Sequence, residues 1–151
     1  ISKTITANVN YTYLDAKITK DATPENIGYR NASTAKHTAN VMFIYHFNKG
    51  RLSGLSAGAG LQFIGDMYVA FPGFTAAEDK DKKAPGYTLF DVNVAYEIRQ
   101  FSFHLNVYNV FNKRYMIYPY WNSAIEGGTP GYYTLTPGDP ANFRVSVNYR
   151  F

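Results

Sequence analysis

The stretch from Asn112 to Ala141 concentrates ring and hydroxyl chemistry: Tyr115, Tyr118, Tyr120, Trp121, Tyr132 and Tyr133 lie among the turn formers Gly127, Gly128, Pro130 and Gly131. Exposed aromatics on a long loop can stack on the organic shell of a chelate and donate phenolic or indole hydrogen bonds to it. Tyr118, Tyr120, Trp121, Tyr132 and Tyr133 are therefore the candidate ligand-binding residues, with Tyr120 and Trp121 foremost. The competing account of the same rings is an interfacial belt, or packing of the loop on itself, because a connection this long must bury something.

Catalysis and metal binding find less support. Ser102, His104 and Asn106 alternate on one side of an extended run and suggest a hydrolase constellation. Residues two apart on a strand are separated by nearly 7 Å, however, whereas a nucleophile and its base must approach to about 3 Å. The expectation is three polar wall residues and no enzyme. His37, His46 and His104 fall in different segments without a second ligand at helical or hairpin spacing, and cysteine is absent, so neither a metal site nor a resident cofactor is expected. The mixed-charge run Glu78-Asp79-Lys80-Asp81-Lys82-Lys83 reads as a solvated loop tip.

These side chains need a frame, and a period of two supplies it. Ile5, Ala7, Val9, Tyr11 and Tyr13 alternate with Thr6, Asn8, Asn10 and Thr12, predicting a strand from Thr4 to Ile18. The same pattern predicts strands over Lys36 to Asn48, Leu52 to Val69, Tyr87 to Ile98, Phe101 to Phe111 and Asn142 to Phe151. In the last, Phe143, Val145, Val147, Tyr149 and Phe151 oppose Asn142, Arg144, Ser146, Asn148 and Arg150. Several segments exceed the usual soluble strand and suit a tilted bilayer crossing of about 9 to 11 residues.

Connections alternate in length: long at Thr19 to Ala35, short at Lys49 to Arg51, long at Ala70 to Gly86, short at Arg99 to Gln100, long at Asn112 to Ala141. That regularity fits an antiparallel up-and-down transmembrane β-barrel, in which tight turns and extended loops occupy opposite ends. The polar faces carry mainly Thr, Asn, Ser, Gly and Gln, whereas the solvent face of a soluble sandwich needs Lys and Glu. Aromatics gather in two groups, Phe47, Tyr96, Phe101, Phe103, Tyr149 and Phe151 toward the short turns and Tyr11, Tyr13, Phe63, Phe90 and Phe143 toward the long loops, flanking a band of Val, Ala and Leu. A soluble Tyr-rich β-domain is the alternative. Its 17% aromatic content and absence of a long apolar run are compatible with either, since a barrel strand turns half its residues to the lumen. The net charge of +4 comes from dispersed Lys and Arg, and nucleic-acid binding is not expected.

Leu105-Asn106-Val107-Tyr108-Asn109-Val110-Phe111-Asn112-Lys113-Arg114-Tyr115 resembles the N-x-x-N-L-F-D-K-x-Y stretch near the end of TonB-dependent outer-membrane receptors. The tail from Pro137 to Phe151 is similar to that family's G-x-P-R-x-F-x-x-x-x-x-Y-x-F ending, with Ala141 where a basic residue is common, and Tyr87-Thr88-Leu89-Phe90-Asp91 resembles the preceding strand opening. The resemblance spans the chain in order and looks most like the ferric siderophore receptors. It implies a barrel of about 22 strands closed by an N-terminal plug, of which residues 1–151 supply about the last six strands. The plug, the TonB-contacting segment and the earlier strands are then absent, and a start at Ile1 reads as a piece of something longer.

The same resemblance implies a receptor in the bacterial outer membrane that binds a ferric siderophore and takes it up with energy supplied through TonB. Its C-terminus lies at the periplasm, and Phe143, Tyr149 and Phe151 form the signal read by the barrel assembly machinery. Partners implied are the receptor's own plug, membrane lipid and lipopolysaccharide, whose phosphates a Lys or Arg cluster near the outer leaflet could pair; such a cluster could equally attract an anionic ferric complex. An outer-membrane adhesin, or a docking barrel for phage or colicins, is the alternative within the same architecture.

Overall fold

The alternation in the sequence becomes cross-strand pairing in a computed structural model that describes residues 4–124 and 128–151. In chain order the strands are β1 (Ile5–Tyr13), β2 (Thr34–Ala35), β3 (His37–His46), β4 (Leu55–Ile64), β5 (Met67–Tyr68), β6 (Lys83–Ala84), β7 (Tyr87–Ile98), β8 (Phe101–Tyr108), β9 (Tyr120–Asn122), β10 (Tyr132–Thr134) and β11 (Asn142–Tyr149). The six long strands form one antiparallel sheet in the order β1-β3-β4-β7-β8-β11, so each pairs with the next long strand along the chain.

Register carries one kind of side chain across the whole sheet. Ile5 pairs with Tyr45, Tyr45 with Ala57, Ala57 with Val94, Val94 with Leu105 and Leu105 with Val145. One residue over, the row reads Thr6, Ile44, Gly58, Asn93, Asn106 and Arg144. A slip of one residue anywhere would mix the two rows, so the pattern specifies the register. The apolar row enters at the first residue of β1 and leaves β11 four residues before Tyr149, the stagger that a tilted barrel wall requires.

Nothing in the described chain covers the apolar face. Phe103 and Leu105, on the interior strand β8, remain 42% and 39% exposed, and Phe143 on β11 reaches 72%. In a soluble sandwich these positions would be the core; here they form the lipid-facing wall of a transmembrane barrel. Apart from Leu89 on β7 and Gly60 on β4, the residues sequestered from solvent lie instead among the long loops, among them Tyr29, Ala35, Met67, Tyr68, Val69, Ala70, Ala84 and Pro119. Two small sheets organise them, β2-β5-β6 and the β9-β10 hairpin.

Three predicted strands run too far in sequence. The first ends at Tyr13 rather than Ile18, because Asp15 draws in Lys17, Arg30 and Lys36 and folds the following chain back. The third ends at Ile64 rather than Val69: the Asp66 carboxylate accepts the Gly86 backbone N–H at 3.0 Å, and Met67 and Tyr68 re-enter pairing as β5 in the loop sheet. The fifth ends at Tyr108 rather than Phe111, since Asn109 and Asn112 both turn into the left-handed region at φ 49°. Asn109 can do so because its buried amide is fully used: Nδ2 donates to the carbonyls of Lys113 and Asp139, and Oδ1 accepts the Lys113 N–H. The two short connections lie at the opposite end, one built on a single 3-10 turn (Gly50–Leu52) and the other on Arg99 and Gln100, with Arg99 at φ 52°.

Candidate functional site

Residues from all three long loops, 14–36, 65–86 and 109–141, are joined by hydrogen bonds at one end of the sheet. The Ser33 N–H donates to Tyr68 and its hydroxyl to the Pro119 carbonyl; Tyr29 donates through its phenol to Thr75 at 2.6 Å. Trp121 donates its backbone N–H to Val69 and accepts the Thr75 hydroxyl at 2.7 Å. Each bond links segments more than 30 residues apart, which no local sequence window displays.

The two faces of β9 do different work. Trp121 turns to the loop interior, where its indole N–H donates to Asp79 at 2.6 Å, its ring meets Tyr133 edge to face at 4.8 Å, and the Lys82 ammonium sits 3.5 Å from the ring centroid. Asp79 also accepts the Ser123 hydroxyl at 2.7 Å. The Ser123 hydrogen bond above all, then those from Trp121 and the nearby Lys82 cation, hold the Asp79 carboxyl below the usual carboxylate range despite partial desolvation. Tyr133 completes the lock by donating its phenol to the Lys83 carbonyl. The run Glu78 to Lys83 is thus a joint between loops as well as a solvated tip.

Tyr120 and Asn122, on the other face of β9, line a pocket of about 610 Å³ together with Tyr118, Phe71, Phe74 and Ser33. Tyr118 and Phe74 are among its most exposed rings. Of the five candidate ligand residues, Tyr118 and Tyr120 therefore share a pocket, Trp121 and Tyr133 pack against each other outside it, and Tyr132 is exposed opposite Asn122. Gly127 lies outside the described residues. Phe71 and Phe74 were not singled out in the sequence; the signal that could have found them is two rings flanking the turn formers Pro72 and Gly73.

A second feature escaped sequence reasoning. Buried Tyr68 has Arg30, Lys36 and Lys83 around its ring at 4.5, 5.9 and 5.0 Å. Arg30 forms ion pairs to Asp15 at 3.0 Å and Asp81 at 2.7 Å, and its hydrogen bond is the main cause that lowers the Asp15 pKa.

The histidines act across strands. His46 places Nδ1 2.9 Å from the Ser56 hydroxyl and Nε2 3.0 Å from that of Thr6, while His37 Nδ1 lies 2.8 Å from the Tyr11 hydroxyl. His104 pairs in register with Ser146 and Ala95, on the polar face shared with Ser102 and Asn106. Among the described residues no three His, Cys, Asp or Glu side chains cluster as metal ligands. At the short-turn end, Phe103, Phe101, Tyr149 and Phe151 form a chain of ring contacts at 6.1, 5.0 and 5.1 Å, and Arg150 donates its N–H to Gln100. Phe143 is on the same face at the other end of β11.

A family model described as TonB-dependent receptor-like β-barrel matches residues 3–110. The chain is 30% identical to the metal-pseudopaline receptor of Pseudomonas aeruginosa over 146 residues, 93% of this chain and 18% of that protein. It is 31% identical to the ferrichrome outer membrane transporter/phage receptor of Escherichia coli K12 over 121 residues, 74% of this chain and 15% of that one. The crystal structure of the ferric-catecholate import receptor of Escherichia coli K12 in its closed form superposes with a TM-score of 0.70 at 27% identity, covering all of this chain and 19% of that one. The chain therefore spans about a fifth of the length of the relatives it matches.

Proposed function

This chain belongs to the family of TonB-dependent receptor β-barrels, outer-membrane transport receptors rather than enzymes, and from that premise we propose that it forms the C-terminal wall and last three long loops of a receptor that takes up a ferric siderophore. The plug, the TonB-contacting segment and the remaining strands belong to the rest of that receptor, and energy reaches it through TonB. The long loops face outward, the C-terminus faces the periplasm, and the assembly machinery reads Phe143, Tyr149 and Phe151. Lipid and lipopolysaccharide surround the apolar wall.

The observation that carries the proposal is the pocket with Tyr118 and Tyr120 at the end where the three long loops are bound together. A chelate's flat organic arms meet ring faces there, and the fixed loop frame lowers the ordering cost of binding. Tyr132 lies outside this pocket and serves as a rim contact, while Trp121 and Tyr133 position the loops. Relatives named for a metal chelate and for ferrichrome support the substrate class.

The test is growth of a strain lacking the gene on single chelated iron sources, complemented by wild type or by a Tyr118→Ala/Tyr120→Ala pair. Restoration on one chelate by wild type and its loss with the pair supports the proposal. Growth that is normal on every chelate overturns it, and favours a docking role of the kind the name of the ferrichrome relative also records.

A further inference from the structure

The two phenylalanines of the loop pocket are presented by a turn that the neighbouring loops hold from behind. In Phe71-Pro72-Gly73-Phe74 the Phe71 carbonyl accepts the Phe74 N–H at 3.1 Å, with Pro72 in second place and Gly73 in third at φ 83°. That is the pattern of a type II turn, whose third position favours glycine. Thr75 then closes it. Its N–H also donates to the Phe71 carbonyl at 3.0 Å, and its hydroxyl accepts the Phe71 N–H at 3.0 Å. The same hydroxyl donates to the Trp121 carbonyl at 2.7 Å, while the Thr75 carbonyl accepts the Tyr29 phenol at 2.6 Å. One buried threonine thus fixes the turn to the first and last long loops at once.

The rings on this frame are left open. Phe74 is 67% and Phe71 49% exposed, with their centroids 5.9 Å apart. Because the turn is braced on both sides, the rings are ordered before any ligand arrives, which lowers the entropy cost of gripping one.

Charge decides which ligand surface suits them. Besides four aromatic rings, the described lining of the pocket is Ala32, Ser33, Thr34 and Asn122. Arg30 and Lys36, which flank the first three of these in sequence, are turned to Asp15 at 3.0 and 3.7 Å. The faces of aromatic rings carry partial negative charge, so an anion entering here loses water and meets repulsion without a cation to offset either. A ferric ion held by three hydroxamates is neutral, whereas three catecholates leave a trianion.

We propose that Phe71 and Phe74 are specificity-determining contacts that grip the uncharged organic surface of a neutral ferric chelate, and that Thr75 is the positioning residue that sets them, a role that rests on the pocket being the chelate site. Thr75 itself lies outside the pocket lining and acts only through the turn.

Equilibrium binding of iron-labelled complexes to the purified full-length receptor in detergent tests this, with a ferric trihydroxamate and a ferric tris-catecholate as probes. Wild type is expected to bind the neutral complex about tenfold or more tighter than the trianion. Phe74→Leu removes an exposed ring and should weaken neutral binding about fivefold to tenfold while leaving that of the trianion unchanged. Thr75→Val keeps the shape but loses both hydroxyl bonds, and should lower the ratio of the two affinities by about the same factor, with Thr75→Ser restoring it. A threonine that only stabilised the loops would lower both affinities together and leave the ratio alone. Heat-dependent gel mobility reports folding, and Thr75→Ala replaces Thr75→Val if the latter does not fold. Equal or tighter binding of the trianion by wild type, unchanged neutral binding by folded Phe74→Leu, or an unchanged ratio in the folded Thr75 variant overturns the proposal. Wild type that binds neither complex defeats the chelate reading of the pocket itself, and the proposal with it.

Discussion

The indole of Trp121 donates to the Asp79 carboxylate at 2.6 Å across 42 residues of sequence, and Lys82 lies against both partners. One carboxylate thereby ties the middle long loop to the last. Asp79→Asn keeps the shape but weakens charge-assisted bonds to Trp121 and Ser123. Amide exchange in residues 76–84 and 117–124 of the full receptor should accelerate by about tenfold, the scale of one net hydrogen bond. Unchanged exchange in both segments would remove Asp79 as the joint.

The same joint should respond to acid. The folded-state pKa of Asp79 is lowered, so its contribution is present above the unfolded carboxylate value and is lost as pH falls through the folded value. Loop exchange should be flat at neutral pH, after correction for intrinsic rates, and rise only below about pH 4. Asp15, lowered mainly by the Arg30 hydrogen bond, adds a loss of the same sign in the first loop. A transition near pH 6 instead would point to a histidine.

The two faces of the wall should answer oppositely to charge. Val94→Arg places a cation in the middle of the apolar row and is expected to destabilise the barrel by about 2 to 4 kcal/mol in liposomes. Asn93→Arg, one residue over on the polar face, should cost far less. Denaturant titrations of the two variants decide this, and equal losses would contradict the assignment of faces.

Asn109 offers a test of the turn that ends β8. Asn109→Ala removes three hydrogen bonds and leaves a β-carbon in the left-handed region, at a combined cost of about 2 to 4 kcal/mol. Asn109→Gly relieves only the backbone part and should recover roughly 1 kcal/mol of it. Two variants of equal stability would mean that strain contributes nothing there.

Phe151 is fully exposed and touches Tyr149 through one ring contact at 5.1 Å. Phe151→Ser should leave refolding into liposomes nearly unchanged yet lower the amount of folded receptor in the outer membrane of growing cells. Matching losses in both assays would make Phe151 a packing residue rather than an assembly signal.

The strands were legible because lipid and lumen impose opposite demands on alternate residues, and that demand is local: β7 begins at Tyr87 and ends at Ile98 as its alternation predicts. The overextended ends were not. Whether Asn109 continues a strand or bends it depends on Lys113 and Asp139 carbonyls arriving from elsewhere. The site was legible in composition but not in arrangement. Trp121 stands beside Tyr120 as a foremost candidate in the sequence, yet Asp79 and Lys82 claim Trp121 for packing against Tyr133 while Tyr120 shares the pocket with Tyr118. Thr6 and Ser56 could not be seen as partners of His46, since each lies on a neighbouring strand.

The loops carry their own water-excluded centre around Val69 and Pro119, separate from the bare apolar wall. Recognition and anchoring can therefore diverge independently, because substitutions in the loop core leave strand register untouched. The interlocking sets a condition on that freedom. Ser33 answers to Pro119, Tyr29 to Thr75 and Trp121 to Asp79, so a specificity graft must transplant the three loops as one cassette. A single exchanged loop would arrive without the partners that shape it.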